Sequence, residues 1–181
     1  MEKPPTRTLL PEGYWMPNEG YLWRVLPVEA FKDLPKEVFV GDIVLTKKSE
    51  FHATVINAGG VARDVTHDVS RQREIGIEIQ KTLSAYVMNN PIDLESFMDD
   101  IRLAVTDERT SIAGRCTLSN IEGFFQELSA MYGKEIPVQA AHVSLYTRSS
   151  GAVGIDTTEQ MESYAKLDLP QVQEVLNTIH T

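Results

Sequence analysis

Alternating and helical spacings of apolar residues divide this chain into short strands and a few amphipathic helices. Residues 21–28 are apolar and aromatic and predict a first strand. A helical or turn segment near residues 29–34 is stopped by Pro35. Residues 38–45 predict a strand interrupted by Gly41. Residues 51–56, reading FHATVI, predict another from their β-branched and aromatic content. A Gly-bearing loop is expected at Asn57-Ala58-Gly59-Gly60. The spacing then turns helical over residues 69–87: Ile75, Ile79, Leu83, Tyr86 and Val87 share one stripe. Asp68 is the expected N-cap, and Asp93 is expected to cap a shorter helix ending near Asp99. Residues 101–105 and 111–117 predict a hairpin turning at Asp107-Glu108-Arg109.

Ser119-Asn120-Ile121-Glu122 is a capping-box sequence. It precedes an apolar face of Ile121, Phe124, Phe125, Leu128 and Met131, with Gly133 as the stop. Residues 138–147 predict a strong strand, followed by a second Gly-bearing loop at 149–154. A last helix is expected from Leu169 or Pro170 to Ile179, capped by Asp168 with Pro170 in its first turn. This order predicts an α+β protein with antiparallel or mixed sheets and helices packed outside.

Residues 1–19 carry Pro4, Pro5, Pro11 and Pro17 and read as an extended arm, with Tyr14 and Trp15 able to pin it. The remaining residues, 20–181, suit one domain, or two small lobes sharing a cleft. No apolar run reaches the roughly 18–20 residues that span a bilayer, and residues 1–11 lack the apolar stretch of a secretory signal. Cys116 is the only cysteine and is expected in the core. These features predict a cytoplasmic protein without a membrane partner; they assign no oligomeric state. The formal net charge of -9 disfavours a grip on duplex nucleic acid through many phosphates. It favours a small phosphorylated nucleotide or a short RNA end.

Two of the four histidines open the same pattern of histidine, apolar residue, hydroxyl, apolar residue: His52-Ala53-Thr54-Val55 and His142-Val143-Ser144-Leu145. In a strand, His52 and Thr54 share one face, as do His142 and Ser144, while Ala53 and Val143 face a core. Two imidazoles can divide the proton transfers of phosphodiester cleavage near neutral pH. Hydroxyls can donate to the non-bridging oxygens. Which histidine takes the proton and which gives it stays open. Tyr146 and Arg148 continue the second face by alternation, as a stacking platform and a phosphate ligand. His67 and His180 have no companion motif and read as surface residues. A zinc site would need a third ligand such as Asp64 or His67, and neither has zinc-motif spacing.

The paired His-x-Thr/Ser motifs resemble those of the 2H phosphoesterase superfamily. The resemblance covers about residues 20–180 in element order, and its specificity rests on the two motifs. It implies two similar lobes of antiparallel sheet with outer helices around a central cleft. It also implies His52, Thr54, His142 and Ser144 as catalytic residues, and no metal or cofactor. The implied reaction is hydrolysis of a cyclic phosphate or 2′–5′ linkage in a nucleotide or RNA end. A non-catalytic nucleotide or RNA-end binding module and an RNA 2′,5′ ligase are the alternatives. The expected geometry is two histidine strands facing each other across one groove.

Overall fold

The computed structural model describes residues 10–16, 20–149 and 151–180. Pro4, Pro5 and Pro17 of the expected arm lie outside these residues. The strands are β1 (Tyr14–Trp15), β2 (Tyr21–Leu26), β3 (Glu37–Val40), β4 (Ile43–Lys47), β5 (Phe51–Asn57), β6 (Leu94–Val105), β7 (Thr110–Leu118), β8 (His142–Thr147) and β9 (Ala165–Lys166). They form one nine-stranded sheet in the order β1-β2-β5-β8-β7-β6-β9, with β4 also pairing β8 and β3 pairing β4. All pairings among the described residues are antiparallel. The helices are α1 (Ala58–Val65), α2 (Val69–Tyr86), α3 (Ile121–Tyr132), α4 (Thr158–Ser163) and α5 (Pro170–Leu176), with a 3-10 turn at Val28–Phe31. The protein is therefore α+β. None of the described helices is long and apolar enough to cross a membrane.

One face of the sheet carries the main core. Leu22, Ala53, Val143, Ile112 and Ile101 point into it from the strands. Ile75, Ile79 and Leu83 of α2, Phe124, Phe125 and Leu128 of α3, and Val172 and Leu176 of α5 close it. The helical stripe of α2 is thus buried as its spacing requires, and Asp68 caps it by accepting from the amides of Ser70 and Arg71. Cys116 lies in the same core. Tyr14 fastens the end of the arm: its hydroxyl donates to the Ile92 carbonyl and accepts from the Ile92 amide, both at 3.0 Å.

Several expectations fail for identifiable reasons. The segment after Asp93 is strand rather than helix. Leu94, Phe97, Ile101 and Ala104 of β6 are all buried. Register shifts between Leu94 and Ser96 and between Phe97 and Ile101 separate these buried positions by three and four residues, imitating a helix. Asp93 instead pairs with Arg24 at 2.7 Å. The Asn57–Gly60 loop is the start of α1, because the Asn57 side chain accepts from the Gly60 amide at 2.9 Å and caps a helix there.

The capping box before α3 does not form. Ser119 donates to the Pro91 carbonyl and accepts from the Asp93 amide, and Asn120 enters the helix at a left-handed φ of 57°. Gly133 ends α3 at φ 60° as expected. Met131 is exposed rather than buried with the rest of its helix face. The strand expected over residues 138–147, β8, begins at His142, and α5 stops at Leu176 with no side-chain cap from Asp168.

Candidate functional site

The strands that carry the two motifs are hydrogen-bonded neighbours at the centre of the sheet. This differs from the expected walls of a groove between separate lobes. A single pair, Ala53↔Val143, sets their register, and both residues point into the main core. Alternation then puts His52 beside Ser144 and Thr54 beside His142 on the opposite face. Imidazoles and hydroxyls form a two-by-two array with the histidines on one diagonal. Such diagonal positions lie about 7–8 Å apart. The motif face extends sideways: Trp23 on β2 pairs Thr54, and Arg115 on β7 pairs His142.

Immediately after each motif the strand bulges. On β5 the register passes from Trp23↔Thr54 to Leu22↔Ile56, skipping Val55. On β8 it passes from Ala113↔Ser144 to Ile112↔Tyr146, skipping Leu145. Each bulge turns two consecutive apolar residues, Val55-Ile56 and Leu145-Tyr146, into the main core. This corrects the assignment of Tyr146 and Arg148 to the substrate. Tyr146 is 0% exposed, and its hydroxyl donates to the Pro35 carbonyl at 3.0 Å. Thr147 takes the motif face by pairing Ser111, so the backbone directs Arg148, an exposed residue, away from it.

Three members of the array are nearly covered, and His52 is half-buried. Thr54 is 8% exposed, Ser144 7% and His142 3%. A strap between β8 and α4 covers the neighbouring part of the face, where Val153, Ile155 and Met161 pack on Ala104, Ala113 and Ala140. Hydrogen bonds hold the strap, among them one from Arg109 Nη1 to the Ala152 carbonyl at 3.3 Å. The Val153 amide donates to Ser111 Oγ at 3.1 Å, and the Tyr21 hydroxyl donates to Asp156 Oδ1 at 2.6 Å. The strap passes close to Tyr21 at Gly154, where a Cβ would lie 2.6 Å from the Tyr21 hydroxyl.

The two imidazoles have different surroundings. His52 stacks on Trp23 with ring centroids 3.6 Å apart and planes inclined by 15°. Burial, then the nearby Lys48 ammonium, then His142 push its pKa down to about 3. His142 Nδ1 lies 2.8 Å from the Ala140 carbonyl. A carbonyl only accepts, so Nδ1 carries the hydrogen and Nε2 is the atom free to exchange a proton. Burial lowers the His142 pKa, while the Ala140 carbonyl and the Asp156 carboxylate act in the opposite direction.

Arg115 is the guanidinium nearest this array in register. Its Nη1 meets Asp100 and Glu162 only loosely, each at 3.6 Å, and its side chain is 22% exposed. Asp100 is bound more closely by Arg102. Lys48 follows β4, with burial lowering its pKa. Trp23, Lys48, Arg115 and Asp156 were not singled out by the sequence. The one legible signal was the apolar pair following each hydroxyl, which strict alternation does not allow.

His67, His180 and Asp64 are exposed. Among the described residues, no group of three or more His, Cys, Asp or Glu side chains is placed to hold a metal ion. No family model matches the chain, and no curated protein or solved structure matches it.

Proposed function

We propose that the motif face is a phosphodiester site of the 2H phosphoesterase type. In this reading the protein hydrolyses a cyclic phosphate or a 2′–5′ linkage in a small nucleotide or RNA end, without a metal. The observation that carries it is the Ala53↔Val143 register, which brings both imidazoles and both hydroxyls onto one face of two neighbouring strands. The matching bulge after each motif supports two similar halves, each contributing one strand to the site. Thr54 and Ser144 donate to the non-bridging oxygens, where negative charge concentrates. Arg115, beside His142, and Lys48, near His52, supply positive charge for the same group.

The test is turnover of 2′,3′-cyclic mononucleotides, 2′–5′ oligonucleotides and cyclic dinucleotides, each with and without EDTA. One class should be cleaved in both conditions. His52→Ala and His142→Ala should each lose about 10²–10⁴-fold in rate. Turnover abolished by EDTA and restored by zinc would replace the metal-free mechanism. Binding without turnover of any substrate would make the protein a binding module instead.

A further inference from the structure

We infer that two copies of this chain join through the free edge of β3, antiparallel about Phe39, so that Lys36 of each copy faces Asp42 of the other. This stands apart from the phosphodiesterase reading and does not depend on it. Among the described residues β3 pairs only β4. It offers four residues at an open edge, whereas β1 and β9, which end the main strand order, have two each.

The backbone of that edge is set out for another strand. The Lys47 amide donates to the Lys36 carbonyl at 2.8 Å. Alternation along the β3–β4 register then makes Val38↔Leu45 and Val40↔Ile43 the hydrogen-bonded pairs. The amides and carbonyls of Glu37 and Phe39 therefore point away from β4. The side chains there are Val38, Phe39 and Val40, and Phe39 is 67% exposed. An unpaired edge carrying an apolar run recruits a further strand unless it is blunted by charge, proline or a bulge, and no bulge interrupts β3. Val44, the exposed neighbour of Phe39 on β4, lies on the same face. That face is the motif face, because Thr46 pairs Thr147 and Val44 lies two residues before Thr46.

The charges identify the occupant as a second copy. Outward-pointing residues must meet outward-pointing residues, so the antiparallel register joins odd positions to odd positions. Centred on Phe39, it joins Phe39 to Phe39, Glu37 to Gly41 and Val38 to Val40. Lys36 then faces Asp42 on both sides of the two-fold axis; both are exposed. Facing opposite charges on neighbouring strands stabilise a pairing, and facing like charges oppose it. Centring on Val38 sets Lys36 against Val40, and centring on Val40 sets Asp42 against Val38, so neither matches the charges. The result is an isologous interface. A row of Val44, Phe39, Phe39 and Val44 runs across its four central strands on one face. An antiparallel junction keeps directly opposed residues on one side of the sheet, so the motif faces of both copies look the same way.

Sedimentation velocity of the full chain, from micromolar to millimolar concentration, is the test. The parent should pass from monomer to dimer as concentration rises. Phe39→Lys should remain a monomer throughout. Its denaturant midpoint should match that of the parent, because Phe39 lies outside the core. Charge reversal tests the register without touching Phe39. Lys36→Glu sets like charges against Asp42 at both ends of the interface, and Asp42→Lys does the same against Lys36. Each should weaken the dimer by about tenfold. The double variant Lys36→Glu/Asp42→Lys restores opposite charges at both ends and should dimerise like the parent. A parent that stays monomeric at millimolar concentration overturns the inference. So does a dimer that survives Phe39→Lys, which places the contact elsewhere, or a double reversal that dimerises no better than the single ones.

Discussion

Single side chains on the motif face differ in what their loss should do. Thr54 and Ser144 carry no proton through the reaction; each offers one hydrogen bond to phosphate. Thr54→Ala and Ser144→Ala should each cost no more than about 2.7–4 kcal/mol of transition-state stabilisation. Their rates should fall less than those of either histidine variant, and steady-state kinetics on the same substrate decides this. Gly154 acts through space rather than chemistry. A methyl group at that position would meet the Tyr21 hydroxyl, so Gly154→Ala must displace the bond from Tyr21 to Asp156. The strap should then exchange its amide hydrogens faster over residues 151–157, while the amides of α2 keep their protection. Unchanged exchange in the strap would mean that Tyr21 yields without releasing Asp156.

At the level of elements, the bulges decide which residues belong to the site. Tyr146 sits two residues beyond Ser144 and should share its face, yet the extra residue at Leu145 turns it into the core. Tyr146→Phe removes a hydroxyl that donates to the Pro35 carbonyl. It should cost about 0.5–1.5 kcal/mol in denaturant unfolding and leave turnover unchanged; a rise in KM would return Tyr146 to the substrate. The same bulges explain what was legible in the sequence. The motifs, the α2 stripe and the β6–β7 hairpin could be read because their spacings are regular and local. The β6 segment before Ile101 could not, because two register shifts give it a helix-like spacing. Nor could Trp23, Arg115 and Asp156, which reach the motif face through strand order and a strap contact. Sheet neighbours are set by tertiary pairing, which one strand's own sequence does not encode.

The whole molecule places its polar array at the centre of the sheet, between β2 and β7, where water is largely excluded. That placement has a thermodynamic consequence, because burying an imidazole ties folding to its neutral form. The His52 pKa falls from 6.5 to about 3 on folding, first through burial and then through Lys48 and His142. Between these values the unfolded chain binds the proton and the folded chain does not. The contribution to stability is therefore fully present above pH 6.5 and is lost as pH falls toward 3. One proton can supply a slope of at most about 1.4 kcal/mol per pH unit. The variant His52→Phe keeps a ring against Trp23 and removes the titration. Denaturant midpoints measured between pH 7 and 5, largely above the range in which ordinary carboxylates titrate, isolate the effect. The parent should lose stability over this interval more steeply than His52→Phe. Parallel curves would mean that His52 is hydrated and charged in the folded protein.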